Sequence, residues 1–137
     1  MTADQNKAMI SWFLLEGFNK RDLEVVDRIF ALDHNLHSPA SGVEIAEGIG
    51  PVKEMIEDYF DIVGEGAAVK CTVLKQIAEG DWVSTYYSLE AVNLTSGGPT
   101  DDAYWGVITS RFADGTIQES FVVAQEAFPE EEKKVFN

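Results

Sequence analysis

Cysteine is almost missing from this sequence, and basic residues are scarce. The one cysteine, Cys71, excludes an internal disulfide, and with only two histidines beside it a typical structural zinc site cannot be assembled. Ten Lys and Arg stand against 24 Asp and Glu, a formal charge of −14. A field of that sign repels phosphate backbones and anionic lipid, which argues against nucleic-acid and membrane-surface roles. No apolar run approaches the roughly 20 residues that cross a bilayer. The opening Met1-Thr-Ala-Asp-Gln-Asn-Lys lacks the basic-then-apolar pattern of a secretion signal. Together these absences lead to the expectation of a cytoplasmic protein. What is present is a globular composition: 45% hydrophobic and 25% charged over 137 residues, enough for one core. The expected organisation is a single domain over residues 1–128 and a charged tail over 129–137, with no internal repeat.

The apolar pattern changes period along the chain. Met9, Ile10, Phe13, Leu14, Gly17 and Phe18 recur at helical spacing, which predicts a helix over 8–18. Asp22 is the expected N-cap of a second helix, with Leu23, Val26, Ile29 and Phe30 on its inner face. Residues 32–39 read as a short extended piece closed by Ser38-Pro39, and 39–50 as a loop. Gly50-Pro51 opens a third helix whose stripe is Val52, Met55, Ile56, Tyr59, Phe60 and Val63. From Ala67 the period is two. Val69, Cys71, Val73 and Ile77 are expected on one side of the first long strand. Trp82–Leu94 follows, with Val83, Thr85, Tyr87, Leu89 and Ala91 on one face; then come Ala103–Phe112 and Ile117–Phe128, joined at Asp114-Gly115. Helices first and long antiparallel strands after them give an α+β fold.

Three stretches, in order, carry a resemblance. They are Gly17-Phe-Asn-Lys-Arg-Asp-Leu-Glu-Val-Val-Asp-Arg-Ile-Phe with His37-Ser-Pro soon after, then Glu79-Gly-Asp-Trp-Val, then Arg111-Phe-Ala-Asp-Gly-Thr-Ile-Gln-Glu-Ser-Phe-Val-Val-Ala-Gln. Over residues 7–128 they resemble the SnoaL-like polyketide cyclase branch of the NTF2-like superfamily. The resemblance implies a cone, with three N-terminal helices packed in a curved, mostly antiparallel sheet around an apolar pocket, and a homodimer. It implies no metal and no organic cofactor. Family cyclases use a His and an Asp on the last two strands; matched through Asp114-Gly115, those positions hold Ile108 and Val122, or Gln125 after a shift of three residues. None of these exchanges protons near neutral pH.

Other residues therefore become the candidates. His37 titrates near neutrality and stands where relatives often carry a pocket-facing His; its plain alternative is an edge histidine bonded to backbone. His34 is expected to be exposed. Glu119, a carboxylate in an apolar strand, is the second catalytic candidate, against a structural pair with Arg111. Asp33 can orient either histidine or serve a turn. A two-residue loop or a three-residue loop with a bulge at Asp114-Gly115 sets either Ser110 or Thr109 beside Glu119. Tyr59, Tyr87, Tyr104 and Trp105 are the expected substrate-binding walls, with Tyr86 nearby, against core or dimer packing. Ser120 and Gln125 are expected to supply hydrogen bonds to substrate. Cys71 reads as a small buried hydrophobe.

Two readings follow. One is a cofactor-free acid/base cyclase or isomerase acting on a small apolar, carbonyl-bearing metabolite, with epoxide hydrolysis as a variant that depends on where Glu119 points. The other is a ligand-binding or assembly module that keeps the fold without the cyclase pair.

Overall fold

The N-terminal capping residues lengthen the first helix beyond its apolar stripe. In the computed structural model, which describes residues 2–38, 43–99 and 103–126, α1 spans Ala3–Leu14. Thr2 accepts the Gln5 N–H while the Gln5 side chain accepts the Thr2 N–H, a reciprocal capping box. The helix then widens into a π-helical turn, Leu15–Asn19. Gly17 in that turn lies against Ile56, where an added Cβ would stand 3.3 Å from Ile56 Cδ1. Asn19 Oδ1 accepts the Cys71 N–H and ties the turn to the sheet.

The second helix, α2, is short, Glu24–Ile29. Leu23, not Asp22, is its N-cap; Asp22 Oδ1 accepts the Glu24 N–H from one residue further out. Phe30 does not continue the helix but begins β1, Phe30–Ser38, so the expected short extended piece is a nine-residue strand. Within the expected loop lies β2, Val43–Glu47, antiparallel to β1. The third helix, α3, runs Gly50–Val63, with Pro51 in its first turn and Gly64 at φ 79° ending it.

Four long strands complete the chain: β3 Ala67–Glu79, β4 Trp82–Asn93, β5 Tyr104–Ala113 and β6 Thr116–Glu126. The sheet order is β2-β1-β6-β5-β4-β3. Only β1 and β6 run parallel; every other neighbour is antiparallel. The fold is α+β, a curved, unclosed six-stranded sheet with the helices against it. Ile10, Phe13, Leu14, Val25, Val26 and Ile56 meet Val83, Ile108, Ile117 and Val122 in one core. Burying each large side chain of this kind stabilises by roughly 1.5–3 kcal/mol.

Two bulges decide which residues face inward. In β3 the register slips at Leu74, so Ile77 is turned out and is 63% exposed, contrary to the simple alternation. The same slip brings Gln76 inward, where its Nε2 donates to Thr85 Oγ1 at 3.1 Å and to the Lys7 carbonyl at 2.9 Å. The β5–β6 hairpin closes in two residues, Asp114 at φ 53° and Gly115 at φ 80°, the pattern of a type I′ turn. A bulge at Gln118 then pairs Arg111 with Glu119 and Ser110 with Ser120. Neither register considered from the sequence alone survives. Residues 127–137, including the expected tail, lie outside the described residues.

Candidate functional site

A cavity of about 580 Å³ opens between α3 and the concave face of the sheet. β1 contributes Leu36 and Ser38, β4 Tyr87 and Leu89, β5 Tyr104, and β6 Val122 and Ala124. The helical side supplies Phe18, Met55, Tyr59 and Ile62, with the carboxylates of Glu54 and Asp58 at the rim. Period-two alternation explains the sheet wall: Tyr87 and Leu89 lie on one face of β4, and Val122 and Ala124 on one face of β6.

Rings form one side of the cavity. Tyr59 meets Tyr104 edge-on at 5.4 Å and Phe18 at 6.0 Å, and Phe18 stacks with Tyr87 at 6.4 Å. Tyr87 is 2% exposed, and its hydroxyl bonds to none of the described residues. Burial raises its pKa above the ordinary phenol value, so it stays protonated and can only donate or accept as O–H. The ring fits because its cross-strand partner is Gly106; a Cβ there would overlap the phenol Cζ and Oη.

Beside the cavity runs a buried polar chain. His34 Nε2 lies 2.9 Å from Ser120 Oγ, and Ser120 Oγ 2.9 Å from Ser110 Oγ, all three side chains fully enclosed. Ser120 is the register partner of Leu36, a cavity residue, and stands two residues before Val122, another. The His34 ring packs edge-on against Phe30 at 4.8 Å, and its Nδ1 has no hydrogen-bond partner among the described residues. Burial lowers its pKa to about 4, against a smaller raising effect of Glu119. The imidazole is therefore neutral at pH 7 and too weak a base to activate Ser120 as a nucleophile.

His37 and Glu119 do come together, but on the other face of the sheet. Because Leu36 and Ser38 face the cavity, His37 between them points outward. Its Nε2 lies 2.8 Å from Glu119 Oε2, and its ring stacks on Phe121 at 4.1 Å. Arg111 Nε donates to Glu119 Oε1 at 3.4 Å. The His37 bond and then Arg111 hold the Glu119 carboxyl below the usual range. The expectation of a pocket-facing His37 is thus corrected, and the exposed His34 expected from sequence is corrected to a buried one.

Of the expected substrate contacts, Tyr59, Tyr87 and Tyr104 line the cavity. Trp105 and its register partner Gln125 are on the outer face, and Ser120 is inward but held in the His34 chain. Asp33 neither orients a histidine nor serves a turn: it lies within β1, and its Oδ1 accepts from Gln118 Nε2 of β6 at 3.1 Å. Cys71 is buried and its thiol is pushed up to about 12, so it is no nucleophile near pH 7. Ile108 and Val122, where the resemblance puts the cyclase pair, are direct cross-strand partners and both face inward. Among the described residues no group of three or more His, Cys, Asp or Glu is placed to hold a metal ion, and no helix is long and apolar enough to cross a membrane.

Sequence comparison decides the kinship: a family model described as a SnoaL-like domain matches residues 13–120. The chain belongs to the SnoaL-like family. Among solved structures, this SnoaL-like chain is similar to AclR, a candidate hydroxylase from Streptomyces galilaeus, at 18% identity over 98% of this chain and 95% of that one, TM-score 0.69. It is similar to wild-type IdmH, a candidate polyketide cyclase from Streptomyces antibioticus, at 20% identity over 88% and 92%, TM-score 0.67. It is also similar to an epoxide hydrolase of the LEH-like type from M. tuberculosis, at 15% identity over 90% and 84%, TM-score 0.64. At these identities the likeness is one of fold. No curated protein matches the sequence.

Proposed function

We propose that this SnoaL-like domain binds a small, largely apolar molecule in the cavity and receives a carbonyl or hydroxyl oxygen of that molecule on the Tyr87 O–H. One observation carries the reading. A phenol that is 2% exposed, with its hydroxyl bonded to none of the described residues, lines a cavity of about 580 Å³. The Tyr87 hydroxyl is not among the fully enclosed unpartnered atoms, so it is reachable, and a ligand oxygen in the cavity can take its hydrogen bond.

A pair of naphthalene probes tests this: 2-acetylnaphthalene, and 2-isopropylnaphthalene, which has the same shape without the oxygen. Titration calorimetry should show the ketone binding the more tightly. Tyr87→Phe should weaken the ketone about tenfold, one hydrogen bond's net contribution, and leave the hydrocarbon unchanged. Equal affinities in wild type, or no binding of either probe, would overturn the reading.

Acid/base chemistry is the second reading. It draws support from the carboxylates of Glu54 and Asp58, which line the same cavity as the phenol donor. His37 and Glu119, facing away, are better assigned to the outer surface than to this chemistry, and the aliphatic Ile108 and Val122 favour binding without turnover. In deuterium oxide the bound ketone's α-protons should therefore exchange no faster than in buffer. Faster exchange would move the assignment to an isomerase or cyclase.

The homodimer belongs to the same proposal. Trp105, Phe121 and Val123 share the outer sheet face, and Trp105 is half exposed. A second copy of this chain covering that face should give a dimer in sedimentation velocity at high micromolar concentration, and Trp105→Glu should yield a folded monomer. A wild-type monomer at that concentration would refute it.

A further inference from the structure

The rim of the cavity is charged on one side only. Glu54 and Asp58 stand one helical turn apart on α3, both exposed and both lining the cavity, and among the described residues no Lys, Arg or His lines it. Neighbouring cations are engaged elsewhere. Lys53, next to Glu54, donates to both Asp27 oxygens at 2.9 and 3.1 Å, and Arg21 sits over the Phe60 ring at 4.6 Å. Glu54 and Asp58 themselves have no hydrogen-bond or ion-pair partner among the described residues. The same cavity is lined by the aromatic rings of Phe18, Tyr59, Tyr87 and Tyr104, a surrounding that favours a cation over an anion wherever a ring face is reached. Tyr87, 2% exposed and with its hydroxyl bonded to none of the described residues, lines the same cavity and offers a ligand a second, neutral polar contact.

We infer that the ligand of this cavity is a bipolar amine: an apolar body with an oxygen at the Tyr87 end and a protonated nitrogen at the Glu54–Asp58 rim. This rests on the binding reading above and adds the ligand's charge to it. The opposite charge is selected against, because a carboxylate entering here meets two like charges, an aromatic wall and, among the described residues, no counter-ion. The two rim carboxylates are solvated, so their preference is modest and falls with salt.

The test uses three ligands on one scaffold, 2-acetylnaphthalene carrying at its 6-position an aminomethyl, a hydroxymethyl or a carboxylate group. At low salt the aminomethyl compound should bind about three- to tenfold more tightly than the alcohol, and the alcohol by a similar factor more tightly than the acid, the spread of an exposed charge pair at each step. High salt should narrow the spread. The double variant Glu54→Gln/Asp58→Asn should abolish the preference. The control Glu57→Gln/Asp61→Asn removes the same charge from α3 residues that do not line the cavity, and it should keep the preference. If the control abolishes the preference as fully as the rim variant does, the effect belongs to the protein's overall negative field and the rim assignment is wrong. Equal binding of all three compounds overturns the amine assignment and leaves the cavity reading standing. Failure of all three to bind overturns the cavity reading itself.

Discussion

Between pH 7 and pH 5 the domain is expected to lose about 2 kcal/mol of stability through His34 alone. The imidazole is fully enclosed and its pKa falls from 6.5 to about 4 in the folded chain. The folded state therefore holds it neutral, while the unfolded chain takes up a proton below about pH 6.5. Unfolded molecules bind more protons throughout this interval, so stability rises with pH and is lost on acidification from about 6.5 towards 4. Complete loss would amount to about 3 kcal/mol, at 1.4 kcal/mol for each pKa unit. Glu119 acts lower on the scale: its lowered pKa contributes stability above the ordinary carboxylate value and gives it up only below that value. Urea titrations at the two pH values measure the difference, and His34→Phe should flatten it. Should that variant fail to fold, the His34 Cε1–H resonance of the wild type gives the same answer. Its titration midpoint should lie near 4, and a midpoint near the ordinary histidine value would refute the assignment.

Gly106→Ala should destabilise the fold by about 1 kcal/mol and weaken 2-acetylnaphthalene binding more than tenfold. The added methyl would occupy the space of the Tyr87 Cζ and Oη. These are the far atoms of a ring that borders the cavity, so the phenol can swing into that space instead of forcing the backbone apart. The stability cost therefore falls at the low end for an overpacked core, whereas the cavity is blocked by its own wall. Tyr87→Leu removes the clashing atoms, so in that background Gly106→Ala should add almost nothing. The coupling between the two sites, measured as a double-mutant cycle in thermal unfolding, should approach the whole 1 kcal/mol or so. Full ligand affinity in Gly106→Ala would refute the proposed seat of the phenol.

The strands were legible where alternation was unbroken. In β4, Val83, Thr85, Tyr87, Leu89 and Ala91 face inward as their spacing requires. It failed where one extra residue shifts the parity: Leu74 turned Ile77 outward, and Gln118 set Arg111 opposite Glu119. The histidines illustrate the same physics. Leu36 is the interior residue of β1, which places His34 on its side of the strand and His37 on the other, yet Leu32 shares that parity and is 82% exposed. A reader of the sequence had two leucines giving opposite answers. The cavity tyrosines were recoverable, since they lie on well-formed elements. The rim carboxylates were not, because Glu54 and Asp58 differ in no sequence feature from Glu57 and Asp61 on the same helix.

The parallel pairing of β1 with β6 has a kinetic consequence. Phe30 finds its partner at Ile117, 87 positions later (117 − 30), so the middle of the sheet cannot be completed until β6 has left the ribosome. Until then the β1–β2 ribbon waits with one long edge uncovered, while β3, β4 and β5 can zip together as local hairpins. The slow, aggregation-exposed stage of synthesis is the docking of that early ribbon onto the last strand. A chain that stalls before β6 emerges would present two open edges in place of one sheet.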